Sequence, residues 1–201
     1  MALHILHSFG AGNANAGIHN SMVNALVDVS YRVTCQIKVD NLTNVILDSP
    51  VVSIGRGQVD IPPKHIQPGQ SDLMVARNLP FNSTGTYGTV SWLLERENRR
   101  VVVMWAAPFN LDFYDNWLAV GMTESGVIDH AANNEWYKQM YYKKSDKLLR
   151  FSKMKYQNEI QTVTYKEDGI EISGTMSTGH RAQAMITIRP LDISNNDDSI
   201  K

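Results

Sequence analysis

The fold is decided by two consecutive runs in the middle of the chain, Tyr87-Gly-Thr-Val-Ser-Trp-Leu-Leu-Glu95 and Arg100-Val-Val-Val-Met-Trp-Ala106. Both runs are short and rich in β-branched and aromatic residues, which is typical of strands. The Glu97-Asn98 pair between them is a turn signal. This stretch therefore predicts two neighbouring strands joined by a short connection.

Short β-rich runs separated by turn signals continue on both sides of this stretch. The predicted strands are Tyr31–Asp40, Val45–Ile54, Asp72–Arg77, Tyr87–Glu95, Arg100–Ala106, Trp117–Thr123, Lys155–Tyr165, Gly169–Gly174 and Gln183–Arg189. Asp168-Gly169 is a strong hairpin signal, and one late helix is predicted from about Asp129 to Tyr142. Many short strands with few helices indicate an all-β sandwich.

Composition sets limits on function. The chain has 201 residues and a formal net charge of −1, which argues against a broad nucleic-acid-binding surface. Its longest apolar run, Val101–Phe109, contains Pro108 and is much shorter than the roughly 20 residues of a membrane helix, so we expect no transmembrane span in the folded protein. The single cysteine, Cys35, excludes an internal disulfide, and its place in a strand pattern predicts a buried position.

No sequence feature predicts catalysis. The six histidines are scattered, and no pair has the spacing of metal ligands. His180 follows a glycine in a predicted turn, with no nucleophile motif nearby. We therefore expect a protein that is not an enzyme and that uses neither a metal nor another cofactor.

The N-terminal segment is unusual because it lacks charge. At 19% charged residues, about five charges would be expected in the first 27 positions, yet the first charged residue is Asp28. A signal peptide is disfavoured, because the segment has no basic start and because His4 and His7 interrupt its apolar stretch. A dinucleotide-binding motif is disfavoured, because Asn15 replaces the third glycine.

The remaining interpretation of this segment is an amphipathic helix from about Ala16 to Val29. At 100° per residue, one broad face is apolar and the opposite face is polar but almost uncharged. The apolar face includes Ile18, Met22, Val23, Leu26 and Val27. Periodicity alone favours a helix that packs on a core. The missing charges favour a helix that enters a membrane, where each central charge costs roughly 3 kcal/mol.

Aromatic residues are concentrated in one part of the chain: nine of the 17 lie between Trp105 and Tyr142. The turn-rich segment Pro108–Asp115 carries large apolar side chains that a water-facing loop would not favour. Tyr137 and Tyr141 are four residues apart, so they share one helix face. Core packing explains such residues, and so does a surface that lies at a membrane interface or holds a quaternary ammonium group through cation–π contacts. Physical reasoning leaves both interpretations open.

Five motifs follow one another along residues 17–190. They are Asp60-Ile61 with Pro63 and Ile66-Gln67-Pro68-Gly69; Thr84-Gly85-Thr86-Tyr87-Gly88; Ala107-Pro108-Phe109-Asn110 with Phe113-Tyr114-Asp115-Asn116-Trp117; Trp136-Tyr137-Lys138-Gln139-Met140-Tyr141-Tyr142; and Ser177-Thr178-Gly179-His180. In order and spacing they resemble the actinoporin family, the pore-forming cytolysins typified by those of sea anemones.

The resemblance implies a β-sandwich flanked by two α-helices. It also implies a protein that binds sphingomyelin or other phosphocholine lipids, inserts its N-terminal helix and self-associates into an oligomeric, cation-permeable pore. Matched by motif, the lipid-binding residues would be Tyr87, Pro108, Tyr114, Tyr137, Tyr141 and Tyr142, with Tyr87 and Pro108 at the rim of the pocket. The membrane-interface aromatic loop would contain Phe109, Phe113 and Trp117.

The sequence departs from the family pattern at this candidate site. Phe113 stands where the family usually has Trp, and Tyr87 replaces a small aliphatic residue. Arg56 lies near the position of a usual Ser, and Ala106 lies where a pocket Ser is common. These changes bear on the preference for sphingomyelin more than on the fold.

The domain organisation predicted from these features has three segments: a membrane-inserting segment (1–30), a β-sandwich lipid-binding domain (31–190) and a polar tail (191–201). The resemblance implies a secreted or released protein that acts at target-cell membranes. The alternative is a lectin-like or lipid-headgroup-binding sandwich that binds glycans or lipids and forms no pore. The uncharged N-terminus is the feature that discriminates, because a lectin has no need of it.

Overall fold

The computed structural model describes residues 32–191, which form two β-sheets, one 3-10 turn (Glu95–Glu97) and one α-helix. The elements are β1 Thr34–Asn41, β2 Leu47–Arg56, β3 Gln58–Ile61, β4 Ser71–Arg77, β5 Thr86–Leu94, β6 Arg99–Ala107, β7 Asn116–Thr123, α1 Glu135–Tyr142, β8 Leu149–Tyr156, β9 Val163–Glu167, β10 Ile170–Met176 and β11 Arg181–Pro190. No helix among these residues combines the length and the apolar character needed to cross a bilayer.

The two sheets face each other as a sandwich. One has six strands in the order β3-β4-β1-β11-β10-β9, and the other has five in the order β2-β5-β6-β7-β8. Neighbouring strands are antiparallel except β1 and β11, which run parallel. The predicted all-β sandwich is therefore confirmed in its main features.

Strand β6 explains why the stretch around it determines the fold: all nine of its residues are buried. Side chains alternate between the two faces of a strand. Val101, Val103 and Trp105 belong to the core between the sheets, which also contains Cys35 of β1, buried as predicted. Val102 and Met104 belong to a second apolar cluster, on the face that α1 covers. An uninterrupted apolar run is what a strand with two buried faces requires.

Most predicted strands are observed within a few residues of their predicted bounds, but one is wrong. Lys155–Tyr165 is not a single strand, because β8 ends at Tyr156 and β9 begins at Val163. The polar residues between them carry the chain from the five-stranded sheet to the six-stranded one. The hairpin predicted at Asp168-Gly169 is confirmed: Glu167 pairs with Ile170, and the two turn residues have φ of 45° and 74°.

The late helix is shorter than predicted. It begins at Glu135 rather than near Asp129, because Asn133 and Asn134 both have φ of 56°, in the left-handed region that a right-handed helix cannot include. Before them, the chain is held to the five-stranded sheet by the His130 ring, which is 2.7 Å from Ser91 Oγ and 3.2 Å from Thr89 Oγ1.

The second predicted helix falls outside the described residues. So do the five residues that we assign to its apolar face, which are Ile18, Met22, Val23, Leu26 and Val27. The tail is described only at Leu191. The segments 1–30 and 191–201 therefore stay predictions from sequence.

Candidate functional site

An open cavity of about 250 Å³ lies where β5 begins and β6 ends, and Thr86 pairs with Ala107 across this point. Helix α1 and the loop between β6 and β7 complete its walls. The structure brings all six residues that the family motifs assign to lipid binding to this one cavity. They are Tyr87, Pro108, Tyr114, Tyr137, Tyr141 and Tyr142.

A run of contacting tyrosine rings forms the main wall of the cavity. The Tyr87 and Tyr137 rings are stacked, with centroids 4.3 Å apart, and the Tyr137 and Tyr141 rings are stacked at 5.4 Å. Tyr142 meets the edge of Tyr141 at 4.8 Å. The spacing of four residues along α1 places Tyr137 and Tyr141 one above the other. The wall thus presents several ring faces to one small volume.

Burial changes along this wall. Tyr137 is 6% exposed, whereas Tyr114 is 61% and Tyr142 is 72% exposed. Tyr87 is half-buried against Tyr137 and so belongs to the wall rather than to the rim where we expected it. The cavity therefore has a buried aromatic floor and an exposed aromatic mouth.

Position 55 of β2 must be occupied by glycine for this wall to form. A Cβ atom there would lie 2.2 Å from the Tyr87 ring. Arg56, the next residue, pairs with Tyr87 across the two strands, and its side chain is exposed. Ala106 lines the cavity and offers no hydroxyl at that point. The departures from the family pattern thus enlarge the aromatic wall and reduce the number of hydroxyl groups.

The electrostatics of the cavity favour a cation. Burial, and then the neighbouring tyrosines, raise the pKa of Tyr137 and of Tyr141, so both phenols stay neutral with their ring faces intact. Among the described residues that line the cavity, Asp115 is the single charged one; its carboxylate is 3.2 Å from Lys155 Nζ. Neutral ring faces beside a carboxylate suit a quaternary ammonium group.

Hydroxyl and amide groups that also line the cavity were not assigned to the site from the sequence. Ser83, Thr84 and Asn110 line it and can donate hydrogen bonds to a phosphate or a sugar oxygen. They come from two loops that are separated in the chain and meet only through the pairing of β5 with β6. Thr84 and Asn110 stand in two of the family motifs, which assigned them no role.

The three residues assigned to the membrane-interface loop lie in different environments. Phe113 is 79% exposed. Phe109 is half-buried against the core, with the Arg32 guanidinium 4.6 Å from its ring centroid. Trp117 is half-buried beside Tyr141, 5.6 Å between centroids, with Lys153 Nζ 5.8 Å from its ring. Phe113 is therefore the one of the three that projects into solvent.

Comparisons with known proteins bear on the family and on the fold. No family model matches the chain. It is 38% identical over 183 residues to tereporin-Ca1 of Terebra anilis, covering 90% of this chain and 95% of that protein. It is 36% identical over 177 residues to echotoxin-2 of Monoplex parthenopeus, covering 88% of this chain and 64% of that protein, so it spans somewhat less than two thirds of the length of echotoxin-2.

A solved structure supports the architecture. The lipid-binding protein Nakanori superposes with a TM-score of 0.67 at 15% identity, covering 87% of this chain and 79% of that one, a level of identity that shows the fold alone. The assignment of family rests on the sequence relatives, above all on tereporin-Ca1, which matches over almost its whole length. The chain belongs to the actinoporin family of pore-forming proteins.

Proposed function

We propose that the protein binds membranes containing sphingomyelin or another phosphocholine lipid, and then forms an oligomeric, cation-permeable pore through its N-terminal segment. The observation that carries the proposal is the tyrosine cavity, which stacked neutral rings, Asp115 and hydroxyl groups line together. A choline headgroup needs ring faces for its ammonium and donors for its phosphate. No catalytic residue is part of this proposal.

The pore itself is proposed from the sequence of residues 1–27, which contain no charged residue. A helix of this length is about 40 Å long, enough to cross a hydrocarbon layer of about 30 Å. The polar face contains Asn20 and Asn24, side chains that can line water without selecting strongly against cations. We propose that the protein is secreted or released before it acts at a target membrane.

The proposal is tested with dye-loaded vesicles and the full chain. Binding is measured by co-sedimentation and pore formation by dye release, for phosphatidylcholine vesicles with and without sphingomyelin and for phosphatidylglycerol vesicles. We expect binding and release only where choline headgroups are present. Binding without release would favour the alternative, a lectin-like or headgroup-binding sandwich, and the absence of binding to every choline vesicle would overturn the proposal.

A charge on the apolar face of the N-terminal segment should separate binding from pore formation. We expect Leu26→Glu to lower the rate of dye release about tenfold while vesicle binding stays unchanged, because a charge within a bilayer costs roughly 3 kcal/mol before it snorkels to the surface. The matched control is Asn20→Glu on the polar face, which we expect to keep most of the release. Equal release by wild type and Leu26→Glu would argue against insertion of this helix.

A further inference from the structure

The loop between β4 and β5 exposes a large aromatic ring. It reads Asn78-Leu-Pro-Phe-Asn-Ser-Thr-Gly85 and contains no charged residue. Phe81 is fully exposed, and Leu79 beside it is 39% exposed. A phenyl ring in water contributes nothing to folding, but single exposed apolar side chains are common on protein surfaces, so the ring is informative only together with its backbone conformation and its place beside the cavity.

The backbone at this ring is strained as well. The Asn82 N–H donates to the Leu79 carbonyl at 3.3 Å, so residues 79–82 form a tight turn with Pro80 second and Phe81 third. Phe81 has φ of 54°, a left-handed conformation that glycine or asparagine adopts far more easily than a bulky residue. The fold gains nothing from phenylalanine at this position. An outlier of this kind is a reason to look for function.

Hydrogen bonds of the Asn78 side chain hold this turn in place. The Asn78 side chain donates to the carbonyls of Leu79 and Asn82 at 3.2 and 3.1 Å, and its oxygen accepts the Val33 N–H at 3.2 Å. The ring is therefore presented by a fixed turn rather than by a loosely tethered one.

Strand pairing places this loop beside the candidate site. The loop ends at Thr86, which pairs with Ala107, where the loop that carries Phe113 begins. Ser83 and Thr84 line the same cavity as Tyr114. Phe81 and Phe113 thus stand on the two neighbouring loops that contribute to the wall of the cavity. Ile160 is a third exposed apolar residue at this end of the sandwich, since Asn116 pairs with Tyr156, but charged Glu159 lies next to it.

We propose that Phe81 is a second membrane anchor, which enters the headgroup region of a zwitterionic bilayer together with Phe113 while the cavity that their loops line holds a headgroup. This inference rests on the function proposed above. An uncharged loop suits a neutral lipid surface. Single rings on separate loops suit a deformable surface, whereas a protein partner would need a contiguous, well-packed patch.

The test compares full-chain variants on phosphatidylcholine–sphingomyelin vesicles by co-sedimentation. Phe81→Gly is expected to lower vesicle affinity about tenfold. Its thermal midpoint should stay equal or rise, because glycine relieves the strain at φ of 54°. The matched control is Leu42→Ser, which removes an exposed apolar side chain next to Asn41, at the opposite end of β1, and should bind as wild type does.

Phe81→Trp supplies a direct readout of membrane entry. We expect it to bind as tightly as wild type, and its added fluorescence to shift to the blue and be quenched by lipids with brominated acyl chains. Equal affinity of wild type and Phe81→Gly, or a Phe81→Trp signal that lipid leaves unchanged, would overturn the inference and leave the proposed function standing.

Three further outcomes are distinguishable. A large fall in the thermal midpoint of Phe81→Gly would overturn the inference by showing a structural role. Smaller oligomers with unchanged lipid binding would overturn it in favour of a contact between copies of the chain. Failure of wild type to bind any choline vesicle would overturn the proposed function and this inference together.

Discussion

Replacing Tyr114 and Tyr142 together by serine is expected to weaken binding to phosphocholine vesicles about 30-fold. Both rings line the mouth of the cavity. A cation–π contact contributes about 0.5–2 kcal/mol. Loss of two such contacts, about 2 kcal/mol in total, corresponds to about 30-fold in affinity. Co-sedimentation with vesicles, over a range of lipid concentrations, measures the change directly.

The same double change should leave the fold intact. Tyr114 and Tyr142 are 61% and 72% exposed, and surface substitutions of this kind change the free energy of unfolding by about 0.5 kcal/mol or less. Tyr137 would be a poorer target, because it is buried with Trp136 and Met140 under the sheet, and its loss would lower stability as well as binding. Thermal unfolding of the double variant checks that the two effects are separate.

The matched control replaces both tyrosines by phenylalanine. This variant keeps the ring faces and removes only the hydroxyls, so a choline ammonium held by cation–π contacts should bind with most of its wild-type affinity. A sugar, or a phosphate held by hydroxyl donors, would be lost as completely as in the serine variant. Equal loss in both double variants would therefore contradict the assignment of these two ring faces to the choline ammonium.

The parts of the site that sequence could predict are those encoded locally. The spacing of Tyr137 and Tyr141 places both rings on one helix face whatever the rest of the fold does. The stack of Tyr87 on Tyr137 could not be derived from spacing, because the two residues are 50 positions apart and meet only through the packing of α1 on the sheet. The family motifs include both residues, but they placed Tyr87 at the rim of the pocket and did not predict that its ring contacts Tyr137.

The fold, too, could be predicted where it is encoded locally and not where it depends on contacts between distant segments. The uninterrupted apolar run of β6 predicted a strand, and the structure gives the reason, since one face packs between the sheets and the other under α1. The error at Lys155–Tyr165 arose because the two β-rich ends, Lys155-Tyr156 and Val163-Thr164-Tyr165, were joined across the mostly polar residues 157–162, where the chain changes sheet. The late start of α1 depends on the left-handed conformation of Asn133 and Asn134. Asparagine tolerates this conformation, but its presence in a sequence does not predict it.

The structure also assigns a role to His130, which the sequence left as one of six scattered histidines. Its ring packs on Trp136, 4.5 Å between centroids, in the first turn of the helix that carries the cavity tyrosines. Ser91 Oγ accepts a hydrogen bond from Arg100 Nε at 2.7 Å and can donate its own proton to His130 Nδ1. The network therefore fits a neutral ring that carries its proton on Nε2, towards Thr89 Oγ1.

Protonation of this ring is unfavourable in the folded protein. Burial, and then the charge of Arg100, lower the pKa of His130 from 6.5 to about 4. Burial lowers the pKa of Arg100, and the negative charge of Asp129 partly opposes this shift. A proton on Nδ1 would also point to Ser91 Oγ, which already accepts the Arg100 Nε–H, so it would bring a second positive charge close to the Arg100 guanidinium.

Acid should therefore destabilise the fold in the window between pH 6.5 and pH 4. The native pKa lies below the unfolded one, so the unfolded chain takes up the proton first, and the stability present above pH 6.5 is lost as pH falls towards 4. The full pKa shift of His130 corresponds to a change of about 3 kcal/mol in the free energy of unfolding. Because the ring is partly exposed, we expect a change of about 2 kcal/mol. For a domain of this size, that is a fall of about 4–8 °C in the thermal midpoint.

The measurement is the thermal midpoint from pH 7 to pH 4.5 for wild type and for His130→Gln. The glutamine variant starts lower at pH 7, because it loses the ring packing on Trp136, so the comparison is between slopes. We expect the thermal midpoint of His130→Gln to fall by about 4–8 °C less than that of wild type over this window. Contributions that are common to both proteins cancel in the difference. Parallel profiles would show that His130 is not the group responsible. A flatter profile would locate the acid-sensitive point at the base of the helix that carries Tyr137 and Tyr141.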